Sequence, residues 1–112
     1  MSVDELDSVL AEAGRRVSCE LWVSTGNFPA MCLLANASDC WLMYLREAGD
    51  AGLSSRGDPT RPGNVEFQLT NGQVDQYPLA WCLPRTRCYA AVLRFFLEGG
   101  CRLPDGIAWH ED

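Results

Sequence analysis

Lysine is missing altogether: all nine cations are arginines, set against fifteen acids for a formal charge of −6. Base-composition bias accounts for that as well as function does, but Arg forks suit bidentate carboxylate contacts. A net acidic chain excludes general binding to nucleic-acid phosphates, which needs a basic face. An acidic surface instead suits a basic protein partner reached by electrostatic steering. Histidine occurs once, as His110 near the end of the chain. A Ser–His–Asp or Cys–His–Asp set would have to draw its base from that tail. The H-x-E…P-C-x-x-C signature of zinc deaminases is absent, and so are the G-x-x-x-x-G-K-[ST] and G-x-G-x-x-G phosphate loops. Long apolar runs are absent too: stretches such as 30–35 and 40–45 fall far short of the ~18 residues that cross a bilayer. The opening MSVDELDSVLAEAGRR places its acids before its first arginine, the reverse of a signal peptide. The expectation is a cytoplasmic protein with no membrane segment, no catalytic set, no metal and no cofactor.

Six cysteines, at 19, 32, 40, 82, 88 and 101, raise the question of disulfides or zinc. An unexported protein sits in a reducing compartment, where disulfides are rare. No C-x-x-C occurs and no pair has zinc-ribbon spacing. Cys19, Cys32 and Cys40 lie in apolar strand-like runs, and Cys88 lies on the apolar side of a helical pattern. These four read as small buried hydrophobes. Cys82 and Cys101 are less easily placed, and either would be the nucleophile if the chain were a small enzyme using His110.

Ser2 followed by Glu5 makes a capping box, and Val3, Leu6, Val9, Leu10 and Ala13 form a helical stripe that Gly14 ends, predicting a helix over 2–14. Val17, Cys19, Leu21 and Val23 alternate with polar residues and Trp22, the period of a half-buried strand. The continuous run 30–35 reads as a central strand, and 40–45 as the next. Residues 46–64 hold four Gly and two Pro and read as one long loop, with a short strand at most over 53–55. Alternation over 65–69, Asn71-Gly72 and a return strand over 73–77 predict a hairpin with a two-residue type I′ turn. In that register Tyr77 shares the face of Glu66. Pro84 opens a helix closed by Gly99-Gly100, and Ile107–Trp109 can add a strand. The fold class is α+β: one domain over 1–112, a mostly antiparallel sheet of five to six strands with an N-terminal and a C-terminal helix packed on it.

The 46–64 loop concentrates functional chemistry: Arg46, Glu47, Asp50, Ser54, Ser55, Arg56, Asp58 and Arg61 on a glycine-jointed frame. Trp22 falls on the polar face of its strand, where it serves either as an interface anchor or as a cover for the first helix. Arg85 and Arg87 stand in the first turn of the last helix, where the macrodipole disfavours cations. They are either simply tolerated there or pair with the protein's own acidic surface or with a partner.

Several motifs then fall in order. W-L-M-Y-L-R-E-A-G-D-A-G-L-S-S-R (41–56) and T-N-G-Q-V-D-Q-Y-P-L-A-W-C-L-P (70–84) resemble the first-numbered immunity-protein family of bacterial polymorphic toxin systems. That family pattern has a G-D-x-G-[FL]-S-S-R loop, an [SL]-N-G-Q-x-[DE]-x-[YF]-P hairpin, and W-A-L-P opening the last helix. A W-H-x-[DE] ending is matched by Trp109, His110 and Asp112. The resemblance covers about residues 40–112. Cys82 replaces a small Ala of the pattern, and R-T-R follows Pro84 where acids are expected. The resemblance implies a cytoplasmic antidote that binds a cognate secreted toxin, commonly a nucleic-acid cytidine deaminase with a basic groove, and occludes its active site. The toxin-binding residues it points to, taken with the loop chemistry, are Arg46, Asp50, Ser54, Ser55, Arg56, Asp58, Tyr77 and Trp22. The alternatives are an adaptor or secretion chaperone of a toxin system, which would bind an unfolded or export segment, and a small cysteine-dependent enzyme.

Overall fold

The computed structural model describes residues 2–13, 19–24, 26–36, 39–100 and 106–111. Helix α1 (Val3–Ala13) starts where the capping box placed it. The backbone N–H of Glu5 donates to Ser2 Oγ, and the Ser2 N–H reaches back to Glu5 Oε1. Strands β1 (Cys19–Ser24), β2 (Ala30–Ala35) and β3 (Asp39–Leu45) form an antiparallel meander, continued by β4 (Leu53–Arg56) and finally β8 (Ala108–Glu111). The two-residue strand β7 (Leu83–Pro84) pairs with β3 beyond the end of β4, making six strands in all. Helix α2 (Arg85–Leu97) follows β7 directly. The α+β architecture is as the sequence predicts, with every pair in the sheet antiparallel.

Strand β2 is buried along its whole length because it is covered on both faces. Leu6 and Leu10 of α1 and Cys88, Ala91, Val92 and Phe95 of α2 pack on one face, against Met31, Leu33, Leu42 and Tyr44. Tyr44 meets Phe95 edge to face, with ring centroids 5.9 Å apart. Fully burying a side chain such as Phe95 stabilises by roughly 1.5–3 kcal/mol. Gly99 and Gly100, both at φ 73°, end α2, and the Gly100 N–H caps the Phe95 carbonyl.

The opposite face is covered by a separate two-stranded sheet, β5 (Asn64–Gln68) and β6 (Val74–Pro78), and by the 3-10 turn Leu79–Trp81. Phe67, Tyr77, Trp81 and Cys82 pack there on Cys32, Leu34 and Trp41. The hairpin is therefore a third layer and not part of the main sheet.

The short strand allowed over 53–55 within the 46–64 stretch is present as β4, an internal strand between β3 and β8. One expectation is corrected. The hairpin turn is not type I′, since only Gly72 (φ 87°) has positive φ while Asn71 does not. Gly72 N–H bonds to Leu69 O and Leu69 N–H to Gln73 O, the pattern of a type I turn followed by a left-handed glycine. Asn71 Oδ1 accepts from the Gln73 N–H and holds that shape. The extra turn residue slips the register by one, so Tyr77 faces Val65 and Glu66 faces Gln76. Tyr77 thus joins Phe67 on the inner face.

Expected elements around Gly14, Val17, Ala37, Ser38 and Cys101 lie outside the described residues. Among those described, no helix is long and apolar enough to cross a membrane.

Candidate functional site

The eight residues singled out from the sequence do not form one surface. Arg46 and Asp50 close the β3–β4 turn on each other. The guanidinium Nε and Nη2 of Arg46 donate to both Asp50 oxygens at 2.8 and 2.9 Å, and the Arg46 N–H donates to Asp50 Oδ2. Arg46 Nη2 also reaches Glu111 of β8 at 3.2 Å. These bonds hold the Asp50 carboxyl well below, and the Arg46 guanidinium above, their ordinary ranges. Asp50 side-chain exposure is only 9% against 46% for Arg46, so the acid serves the turn.

Ser54 and Ser55 are 1% and 0% exposed, which removes them from any contact surface and corrects their place in the predicted site. β3 pairs with β4 at Met43 and Tyr44 and with β7 at Asp39 and Cys40. Ser55 bridges the gap: its Oγ accepts from the Leu42 N–H at 3.1 Å and donates to Trp81 O at 3.0 Å. Tyr77 is likewise a packing residue. It stacks on Trp41 with centroids 4.4 Å apart and planes 13° apart, and Phe67 and Trp81 lie about it at 6.2 and 6.0 Å.

Trp22 is 48% exposed. It points away from the helix face, which β1 shares through Cys19 and Val23, so it does not cover α1. Its Nε1 donates to Glu20 Oε2 at 2.8 Å, and Glu20 Oε1 accepts from Thr70 of the hairpin tip. Those bonds, led by the Thr70 N–H, lower the Glu20 pKa. Trp22 is therefore held in place while its ring remains in solvent. It stands three strands from β4, about 14 Å at ordinary strand spacing.

Arg56 and Asp58 do come together, at the end of β4. The Arg56 guanidinium carbon lies 3.9 Å from the Trp81 ring centroid, and Nη1 donates to Ser54 Oγ and Ser55 O. The next residue, Gly57, has no room for a side chain, since a Cβ would stand 2.1 Å from Cys82 O. Its N–H bonds to Ala80 O at 2.8 Å. Asp58 Oδ1 then accepts from the N–H and hydroxyl of Thr60, bonds that lower its pKa. Past this turn Arg61 pairs with Asp39 at 2.9 Å.

Arg56, Asp58, Arg61, Pro84 and Arg87 line a cleft of about 440 Å³ where β4, the 57–63 turn and the start of α2 meet. Arg61, noted in the loop, and Arg87, noted at the helix start, were both outside the predicted toxin-binding set, because sequence alone does not connect the start of the last helix to a loop some thirty residues earlier. The two helix-start arginines separate in role. Arg85 donates to Tyr89 Oη, one helical turn on, through Nε and Nη2 at 3.2 and 2.7 Å. Arg87 faces the cleft and donates to Gly106 O.

The cysteines are placed as small hydrophobes. Cys19, Cys32, Cys40, Cys82 and Cys88 are buried and free of disulfides. Burial pushes the Cys82 thiol up to about 12, and those of Cys32 and Cys88 higher still, the reverse of nucleophile activation. Among the described residues no group of three His, Cys, Asp or Glu side chains is arranged to hold a metal ion. Compared with known proteins, the chain matches no family model and no curated sequence.

Proposed function

We propose that this protein is an immunity protein that binds a cognate secreted bacterial toxin inside the producing cell and covers its active site. The observation that carries this reading is how the resembling segments are joined. Residues 41–56 and 70–84, far apart in sequence, interlock through Ser55 with Trp81, Arg56 over Trp81, and Trp41 on Tyr77. The resembling segments therefore pack as one unit, which supports the resemblance in fold to the immunity family.

Charge supports the partner class. Asp4, Glu5, Asp7 and Glu12 of α1 are exposed, in a chain of net charge −6. A toxin that deaminates cytidine in nucleic acid needs a basic substrate groove, and an acidic protein competes for that groove by charge and shape. Trp22, exposed and oriented by Glu20, has the character of an interface anchor. Inhibition by occlusion calls for an interface of ~1,200–2,000 Å² in total and no chemistry from the inhibitor.

The test is co-expression with the C-terminal domain encoded by the adjacent upstream gene, followed by co-purification and a cytidine deaminase assay. The expected result is a stable complex with deamination abolished. A toxin domain that stays active and unbound overturns the reading. Capture only of an unfolded or export segment would favour an adaptor instead.

A further inference from the structure

Strand β1 lies at one end of the main sheet, and among the described residues its only ladder is the one with β2. Within that set no other backbone hydrogen bond reaches residues 20–24. A sheet edge normally carries a guard against pairing with another chain: a short strand, a bulge, a proline or an outward charge. The far edge is guarded in this way. Strand β8 is four residues long, and its exposed Glu111 is tied to Arg46. Strand β1 has no such guard. Its six residues pair with β2 in an unbroken register, and the segment CELWVS holds no proline and no cation. Its one acid, Glu20, is turned to Trp22 and Thr70. The hairpin meets Glu20 from the sheet face and belongs to a separate sheet, so it adds no strand to this edge.

We infer that β1 is a docking edge for an extended basic segment of a protein partner, which adds to the sheet as a further strand. Neighbouring strands place their side chains on shared faces. The occupant's alternate residues therefore lie beside Leu21 and Val23 on the helix face, and beside Glu20 and Trp22 on the hairpin face. The first set meets apolar groups. The second meets a carboxylate and an indole ring 48% exposed, where an arginine gains both charge attraction and a cation–π contact. The Nε1 bond to Glu20 fixes that ring beforehand, which lowers the ordering cost of binding. A second copy of this chain brings the same net charge of −6 to the edge, so repulsion favours a basic occupant over self-pairing. That the occupant belongs to a toxin rests on the function proposed above; the docking edge itself does not.

The test has two arms. In the first, the isolated protein is titrated with the peptide acetyl-Thr-Arg-Val-Arg-Val-Thr-amide while its backbone amides are followed by NMR. The same peptide with glutamates for arginines, and one with two adjacent prolines at its centre, serve as comparisons. The expected result is a saturable shift along β1 in the millimolar range. It should be at least tenfold weaker with the acidic peptide and absent with the proline one. No shift at β1 with any peptide overturns the docking edge, and an equal response to the acidic peptide overturns its basic preference. Sedimentation of the protein alone is expected to show a monomer. A dimer with protected β1 amides assigns the edge to a second copy and overturns the proposal. In the second arm, amide hydrogen exchange is measured with and without the toxin domain. Every second amide of β1, on the outward side, is expected to slow roughly tenfold or more in the complex. A bound toxin domain that leaves exchange in β1 unchanged overturns the partner assignment. A protein that ignores the toxin domain overturns the immunity reading alone, and the peptide titration still decides the edge.

Discussion

The hydroxyl of Ser55 donates to the carbonyl of Trp81, 26 residues away, while accepting the N–H of Leu42. One buried side chain thus stands in for the strand partner that β3 lacks between β4 and β7. Ser55→Ala leaves a buried donor and a buried acceptor unpaired, at a cost of about 1–3 kcal/mol. Urea denaturation of the variant is expected to show a lower midpoint with an unchanged slope. Toxin affinity of the folded fraction should stay at the wild-type value, and a loss beyond the folded fraction would restore Ser55 to the interface.

Gly57 tests the same junction by size. A methyl at this position would sit 2.1 Å from the Cys82 carbonyl oxygen, so backbone must move. Gly57→Ala is expected to destabilise by about 1–3 kcal/mol, the usual range for overpacking. Thermal unfolding of the pure protein measures it directly. A neutral result would mean that β4 and the 3-10 turn separate easily.

Acid sensitivity should trace to Asp50, Asp58 and Glu20. All three pKa values are depressed in the folded state, from ordinary values of 3.8 for the aspartates and 4.5 for Glu20. Groups of this kind add stability above their unfolded pKa and lose it as pH falls through the folded one. Stability is therefore expected to be flat near neutrality and to decline below about pH 4.5. Asp50→Asn should be less stable than wild type at pH 7 and converge on it as the pH drops. Denaturant midpoints from pH 7 to pH 2 give the comparison.

Tyr77 separates packing from recognition. Its ring fills the space between Trp41, Phe67 and Trp81, while its hydroxyl donates to Asp75 at a long 3.3 Å. Tyr77→Ala is expected to cost about 3 kcal/mol, and Tyr77→Phe less than about 1 kcal/mol. Toxin binding by Tyr77→Phe should match wild type in a titration calorimeter.

Trp22 has the opposite profile. Trp22→Ala is expected to change stability by no more than about 0.5 kcal/mol, as for most surface positions. If Trp22 anchors the toxin, the same variant weakens the complex tenfold or more. Intact affinity would move the contact elsewhere, with the acidic face of α1 the next candidate to test.

What the sequence by itself determined is the part governed by local rules. The Ser2–Glu5 capping box, the alternation through β1, the apolar run of β2 and the Gly99-Gly100 stop each act within a few residues, and each appears where the pattern placed it. The burial of Cys32, Cys40 and Cys88 followed from the same periodicity.

Tertiary structure decided the rest, because the deciding contacts join residues far apart in sequence. Leu53–Arg56 could be read as a short strand, but nothing in so short and polar a segment marks it as internal; it becomes so only because β3 and β8 flank it. That placement buries Ser54 and Ser55, which composition alone marks as surface hydroxyls. The hairpin register turned on the φ angle of Asn71, and a slip of one residue sent Tyr77 inward. The cleft arginines come from three separate segments, so their meeting is a property of the packed layers and of no motif.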